Sequence, residues 1–293
     1  MRRLCPLAVA ILLLLPAGCG ARRRDRIVVG SKFFTEQVVL AELLAQRIEE
    51  RTGLRVVRKS NLGSTQICHQ ALRSGELDLY VEYTGTALTA ILGETPGGDS
   101  AAVYERVKRE YHDRFGLEVT EPLGFENTFA IVIRAEDARG EKLRAISDLS
   151  PLAPRWRAGV GYEFLERPDG YRGWSERYGL HFAEAPRVMD LGLLYRALKE
   201  KQVDVVAGNS TDGLIAALDL VILQDDRHYF PPYDAVPIVR ADALARAPQL
   251  RAALRELAGK ITAADMRALN FAVDGEHRDV ALAVREFRRR KGL

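Results

Sequence analysis

The chain has 293 residues, with 43 Lys and Arg against 40 Asp and Glu, a formal net charge of +3 and three cysteines. So balanced a charge argues against a nucleic-acid binder, which would carry a basic excess on one face. So long a chain exceeds what one hydrophobic core usually serves, and two lobes are expected.

In chain order, the first segment reads as an export address. Arg2 and Arg3 precede the apolar run Leu7 to Leu15, which is too short to span a bilayer as a helix. It ends at Pro16-Ala17-Gly18-Cys19, small residues before a cysteine, as in the lipobox of bacterial lipoproteins. Residues 1–18 are expected to be a signal peptide, Cys19 the lipidated N-terminus and 19–25 a linker. An ordinary leader with an incidental cysteine is also conceivable, and would leave a Cys19–Cys68 disulfide open. Discounting Arg2 and Arg3 leaves 41 bases against 40 acids, a net charge of +1.

Strand and helix signals then alternate. Ile27-Val28-Val29 predicts a strand, followed by a helix capped by Thr35, with Val38, Val39, Leu43, Leu44 and Ile48 at helical spacing and a stop at Thr52-Gly53. A strand over 54–59, a turn at Asn61 to Ser64, a helix over 65–72 and a strand over 77–83 follow. This alternation predicts an α/β fold with parallel sheets. A second series places strands at 129–134, 158–161 and 203–207, a helix at 191–200, and a helix running into a strand over 214–222. After Pro231-Pro232 comes a strand over 236–240, and 248–291 reads as amphipathic helix.

Enzyme motifs are missing: there is no His-Glu-x-x-His, Cys-x-x-Cys, Gly-x-Ser-x-Gly or Walker loop, and the five histidines lack metal-ligand spacing. Asp225-Asp226 reads as a solvated face and Asp169-Gly170 as a turn, while Asp212 could brace its loop. The loops after the strands instead combine aromatics (Tyr83, Phe129, Tyr233), cations (Lys32, Arg167) and small polar residues (Thr86, Asn127, Asn209, Thr211). In open α/β sheets such loops hold the ligand. A quaternary ammonium offers no N–H donor and is bound by aromatic faces, whereas a carboxylate calls for a guanidinium or ammonium. Each residue also has an ordinary reading: Lys32 and Arg167 as surface charges, Tyr83 and Tyr233 as hinge packing, Asn209 as a helix cap.

The motifs Gly30-Ser31-Lys32-Phe33-Phe34-Thr35-Glu36-Gln37, Asn61-Leu62-Gly63-Ser64-Thr65, Glu82-Tyr83-Thr84-Gly85-Thr86, Asn127-Thr128-Phe129, Arg167-Pro168-Asp169-Gly170, Ser210-Thr211-Asp212-Gly213 and Phe230-Pro231-Pro232-Tyr233 run through nearly the whole chain after the leader. Together they resemble the glycine betaine/choline-binding proteins of osmoprotectant ABC importers. The resemblance implies a two-lobed periplasmic-binding-protein fold (type II) with two crossover strands at the hinge. Lobe 1 would be 26–128 plus 236–293, and lobe 2 would be 129–235. It implies no enzyme activity, no cofactor and no metal. The partners would be a small quaternary amine and a membrane permease, with no nucleic acid, for a monomer held outside the cytoplasmic membrane and serving osmoprotection.

Residue by residue, the resemblance makes Lys32, Thr86 and Arg167 carboxylate contacts, Tyr83 and Tyr233 cage rings, and Asn127 a polar neighbour. Two positions depart from the pattern: Phe129 and Asn209 stand where the family has cage tyrosines. Tyr162 or Tyr229 could supply a substitute ring. The altered cage leaves open the same fold binding another amine or amino acid. An exported enzyme using the same cleft, or a sensing module without transport, would also fit a two-lobed exported chain.

Overall fold

The computed structural model describes residues 26–95 and 99–293. The leader, Cys19 and the linker through residue 25 lie outside these residues.

Among the described residues ten strands form: β1 (Arg26–Gly30), β2 (Arg55–Lys59), β3 (Leu79–Tyr83), β4 (Leu117–Val119), β5 (Phe129–Arg134), β6 (Ala158–Val160), β7 (Arg187–Val188), β8 (Val205–Asn209), β9 (Leu220–Ile222) and β10 (Ala235–Arg240). They form two five-stranded sheets, ordered β2-β1-β3-β10-β4 and β7-β6-β8-β5-β9. The α-helices are α1 (Thr35–Thr52), α2 (Thr65–Ser74), α3 (Thr84–Thr86), α4 (Ser100–Phe115), α5 (Ala135–Gly140), α6 (Tyr162–Glu166), α7 (Tyr171–Tyr178), α8 (Leu191–Lys199), α9 (Leu214–Ala217), α10 (Ala241–Arg246), α11 (Gln249–Arg255), α12 (Ala263–Asp274) and α13 (Val280–Lys291). The fold is α/β and two-lobed.

The expected parallel pairing holds for β1 with β2 and β3, and for β6 with β7 and β8. The sheets are nonetheless mixed. β10 runs antiparallel to β3 and β4, and β5 antiparallel to β8 and β9. The reason is topological. Each of these strands enters its sheet from the other one, so it arrives from the opposite direction. The two crossing segments also bond to each other: Asn127 N–H donates to Tyr233 O at 3.1 Å and Ala235 N–H to Phe125 O at 3.1 Å.

Helix α1 buries Val39, Leu40, Leu43, Leu44 and Ile48 and ends at Gly53, whose φ of 68° suits glycine. Thr35 does not cap it. Phe34 occupies the cap position, and the Thr35 hydroxyl donates to Asp274 Oδ1 at 2.6 Å, tying α1 to α12. The amphipathic stretch after 240 breaks into α10 to α13, of which α11, α12 and α13 pack on α1. The first sheet thus has a core on each face, one shared with α1 and these C-terminal helices and one with α2 and α4.

Candidate functional site

The ends of β1, β3 and β8 and the two crossings converge on one cavity of about 40 Å³. All eight residues singled out from the sequence line it: Lys32, Tyr83, Thr86, Asn127, Phe129, Arg167, Asn209 and Tyr233. Tyr162 also lines it and is largely exposed, whereas Tyr229 lies along a neighbouring groove. Phe129 and Asn209, the two departures from the family pattern, are register partners across β5 and β8.

Two local devices shape the site. Gly85 lies so close to the second crossing that a Cβ there would meet Pro232 O and the Tyr233 ring at 2.7 Å, so the turn after Tyr83 needs glycine. Its close approach seats the turn that carries Thr86 against the second crossing. On the other side, Arg167 follows α6 and its N–H donates to Glu163 O at 2.9 Å.

Neither cation is a surface charge. Lys32 is 1% exposed, and its Nζ donates to Glu82 Oε1 at 2.5 Å and Thr65 Oγ1 at 3.1 Å. These bonds use two of its three donors. Arg167 donates from Nε and Nη2 to the two oxygens of Asp169, at 2.8 and 2.5 Å. Nη1 donates to Thr86 Oγ1 at 2.8 Å and Nη2 also to Thr89 Oγ1 at 3.4 Å, so four of its five donors are engaged. Asp169 is fully buried and accepts from the Tyr233 hydroxyl at 2.5 Å and Thr89 at 3.1 Å. It is the counter-ion of the site as well as a turn residue. Asp225, read as solvated, is likewise bonded: it accepts from the Tyr178 hydroxyl and from the N–H groups of Tyr229 and Phe230.

Each cation also faces rings. Lys32 Nζ lies 4.9 Å from the Tyr83 centroid and 5.8 Å from that of Phe34. The Arg167 guanidinium lies 4.9 Å from Phe129 and 5.8 Å from Tyr233. Sequence reasoning does not single out Phe34. It lines the cavity and stacks on Tyr83 at 6.5 Å, and its place two residues after Lys32 is the available signal.

Burial raises the Tyr83 and Tyr233 phenols well above the ordinary tyrosine value, with Glu36 and Asp169 beside them adding to the shift. Both are neutral donors at any physiological pH. Burial works against the Arg167 guanidinium, but Asp169 outweighs it and holds the pKa above the usual arginine value. Asp212 braces its loop, accepting from Asn209 N–H and the Tyr195 hydroxyl, and burial raises its pKa to about 7.

Several bonds join the lobes. Thr65 N–H donates to Glu163 Oε1 at 3.0 Å, Arg167 to Thr86, and Thr89 to Asp169. The cleft is therefore closed. Among the described residues no group of three or more His, Cys, Asp or Glu is placed to hold a metal, and no helix is long and apolar enough to cross a membrane.

Residues 25–290 match the OpuAC family model, the substrate-binding domain of an ABC-type glycine betaine transport system. The carnitine transport binding protein OpuCC of Listeria monocytogenes is 36% identical over 272 residues, covering 92% of this chain and 88% of that protein. A glycine-betaine-binding protein of Pseudomonas aeruginosa is 36% identical over 284 residues, covering 94% and 90%. A solved glycine betaine/carnitine/choline ABC transporter structure superposes with a TM-score of 0.77 at 33% identity, covering 91% of this chain and 98% of that one. The chain belongs to this family. It is the substrate-binding component of an ABC transporter and not an enzyme.

Proposed function

We propose that the chain captures a carboxylate-bearing quaternary amine of the glycine betaine or carnitine kind in this cleft and hands it to its permease. The observation that carries the reading is the convergence of four aromatic faces with two buried cations, each keeping one donor in reserve. The rings suit the ammonium end and the spare Lys32 and Arg167 donors suit the carboxylate. Lys32, Tyr83 and Thr86 would act from a lobe of 26–128 plus 236–293, and Phe129, Arg167 and Asn209 from a lobe of 129–235, with Asn127 and Tyr233 on the crossings. A ligand touching both lobes binds the closed form better and shifts the population toward it, which is the state a permease reads. Cys19 would anchor the protein by lipid on the outer face of the membrane, as a monomer.

The internal pairing of both cations favours a second reading, a plain cation such as choline. Glu82 and Asp169 neutralise Lys32 and Arg167, and Glu163 adds a carboxylate to the lining. Affinities of the wild type and Arg167→Ala for glycine betaine and choline decide between them. Carboxylate capture predicts a loss of about a hundredfold for glycine betaine and a far smaller one for choline. Equal losses would remove Arg167 from that role.

A further inference from the structure

Glu36 lies beneath the cage, 2% exposed, and is not among the residues assigned to the ligand. Its Oε1 accepts from the Tyr83 hydroxyl at 2.5 Å and Asn127 Nδ2 at 2.8 Å. Its Oε2 accepts from the Thr211 hydroxyl at 2.5 Å and Asn270 Nδ2 at 3.1 Å. Four donors fill the acceptor capacity of one carboxylate. They come from four separate places: β3, the first crossing, the loop after β8, and α12. Only Thr211 belongs to the second-sheet lobe. Asn270 Nδ2 reinforces that contact by donating to Thr211 O at 3.0 Å. The same loop seats against α12 so tightly that a Cβ on Gly213 would meet the Phe271 backbone at 2.5 Å.

We infer that Glu36 is a positioning residue that couples the cage to lobe closure, holding Tyr83 and Asn127 in their ligand-facing pose while clasping the second lobe through Thr211. The inference rests on the reading of the cleft as the ligand site. Three of the four bonds stay within the first lobe and its crossing, so they set the cage; the Thr211 bond is the one that an opening of the lobes would break. Glu36 therefore acts through other residues and does not itself line the cavity.

The test uses Thr211→Val, which removes the clasp alone, and Glu36→Gln, which also sets an amide among four donors. Amide hydrogen exchange without ligand reads the seam, residues 209–213 and 270–272, and stopped-flow fluorescence with glycine betaine, carnitine and choline reads dissociation. In both variants, exchange at the seam should rise while α4 and β1 keep their protection. For any of the three that binds, dissociation should quicken by about ten- to hundredfold in Thr211→Val, the expected loss for a hydrogen bond to a charged group. Glu36→Gln should lose at least as much. A lowered melting temperature with unchanged seam exchange, or unchanged dissociation of a ligand that binds, would reduce Glu36 to a buried structural acid and overturn the inference. If none of the three binds yet seam exchange rises in Thr211→Val, the clasp stands and the ligand reading falls. Should Glu36→Gln fail to fold, Thr211→Val decides alone.

Discussion

The two halves of the cleft repeat one arrangement with a difference. In each, a buried cation is paired with a buried carboxylate and lies against two aromatic rings: Lys32 with Glu82, Tyr83 and Phe34, and Arg167 with Asp169, Phe129 and Tyr233. In the lysine half the cation's own bonds stay within one lobe, since Lys32, Thr65 and Glu82 all attach to the first sheet, while the Thr65 backbone N–H reaches Glu163 of the other lobe. The arginine half is shared. Arg167 and Asp169 reach across to Thr86 and Thr89, and Asp169 also holds Tyr233 on the crossing. One half is thus preformed, and the other is completed when the lobes meet. A compact ammonium serves for a fixed charge, whereas the forked guanidinium can hold its counter-ion and a cross-lobe hydroxyl together.

From this contrast, the largest effect is expected on folding in the preformed half. Lys32→Met leaves Glu82 buried and uncompensated, and should cost about 3–5 kcal/mol in a urea unfolding experiment. A loss near zero would mean that Glu82 finds another partner. Next is Thr86→Val, which removes the nearer of two cross-lobe acceptors from Arg167. It should weaken binding by about ten- to hundredfold, measured by calorimetry, with the unfolding midpoint nearly unchanged. A large stability loss would show that the arginine half is preformed too. Phe129→Leu keeps the apolar bulk but removes a π face. It should weaken a quaternary amine by roughly twofold to thirtyfold, from about 0.5–2 kcal/mol per cation–π contact.

The Asp212 carboxyl adds a pH dependence. The Asp212 pKa is raised by burial to about 7, above its unfolded value, so folding takes up a proton between the two. Its contribution to stability is present below the unfolded pKa and is lost as pH rises toward 7. The melting temperature of the wild type, relative to Asp212→Asn, should therefore climb as pH falls from 7 to 4. A constant difference between the two would place the Asp212 pKa at its ordinary value.

Much of this is legible in the sequence. The strands survive because β-rich runs bounded by glycine and polar turns need little tertiary context, as at β1 and β3. The cavity-lining residues can be found because most stand at a strand end or crossing and all lie in or beside a recognisable motif; Arg167, which follows α6, is found by its motif alone. The misses have physical causes. Strand direction for β5 and β10 depends on the route between lobes, which periodicity does not encode. Nothing in the sequence marks Glu36, Glu82 and Asp169 as buried; three-dimensional proximity shows Glu82 and Asp169 as the counter-ions and Glu36 as a hydrogen-bonded node beneath the cage. Thr35 resembles a helix cap because Asp274, its actual partner, is 239 residues away.

The most direct test of the account is calorimetric titration of the purified protein with glycine betaine, carnitine and choline. The account predicts saturable one-to-one binding of at least one, with the carboxylate-bearing ligands ahead of choline. No binding of any of the three by a folded protein would contradict it and move the ligand outside the quaternary amines.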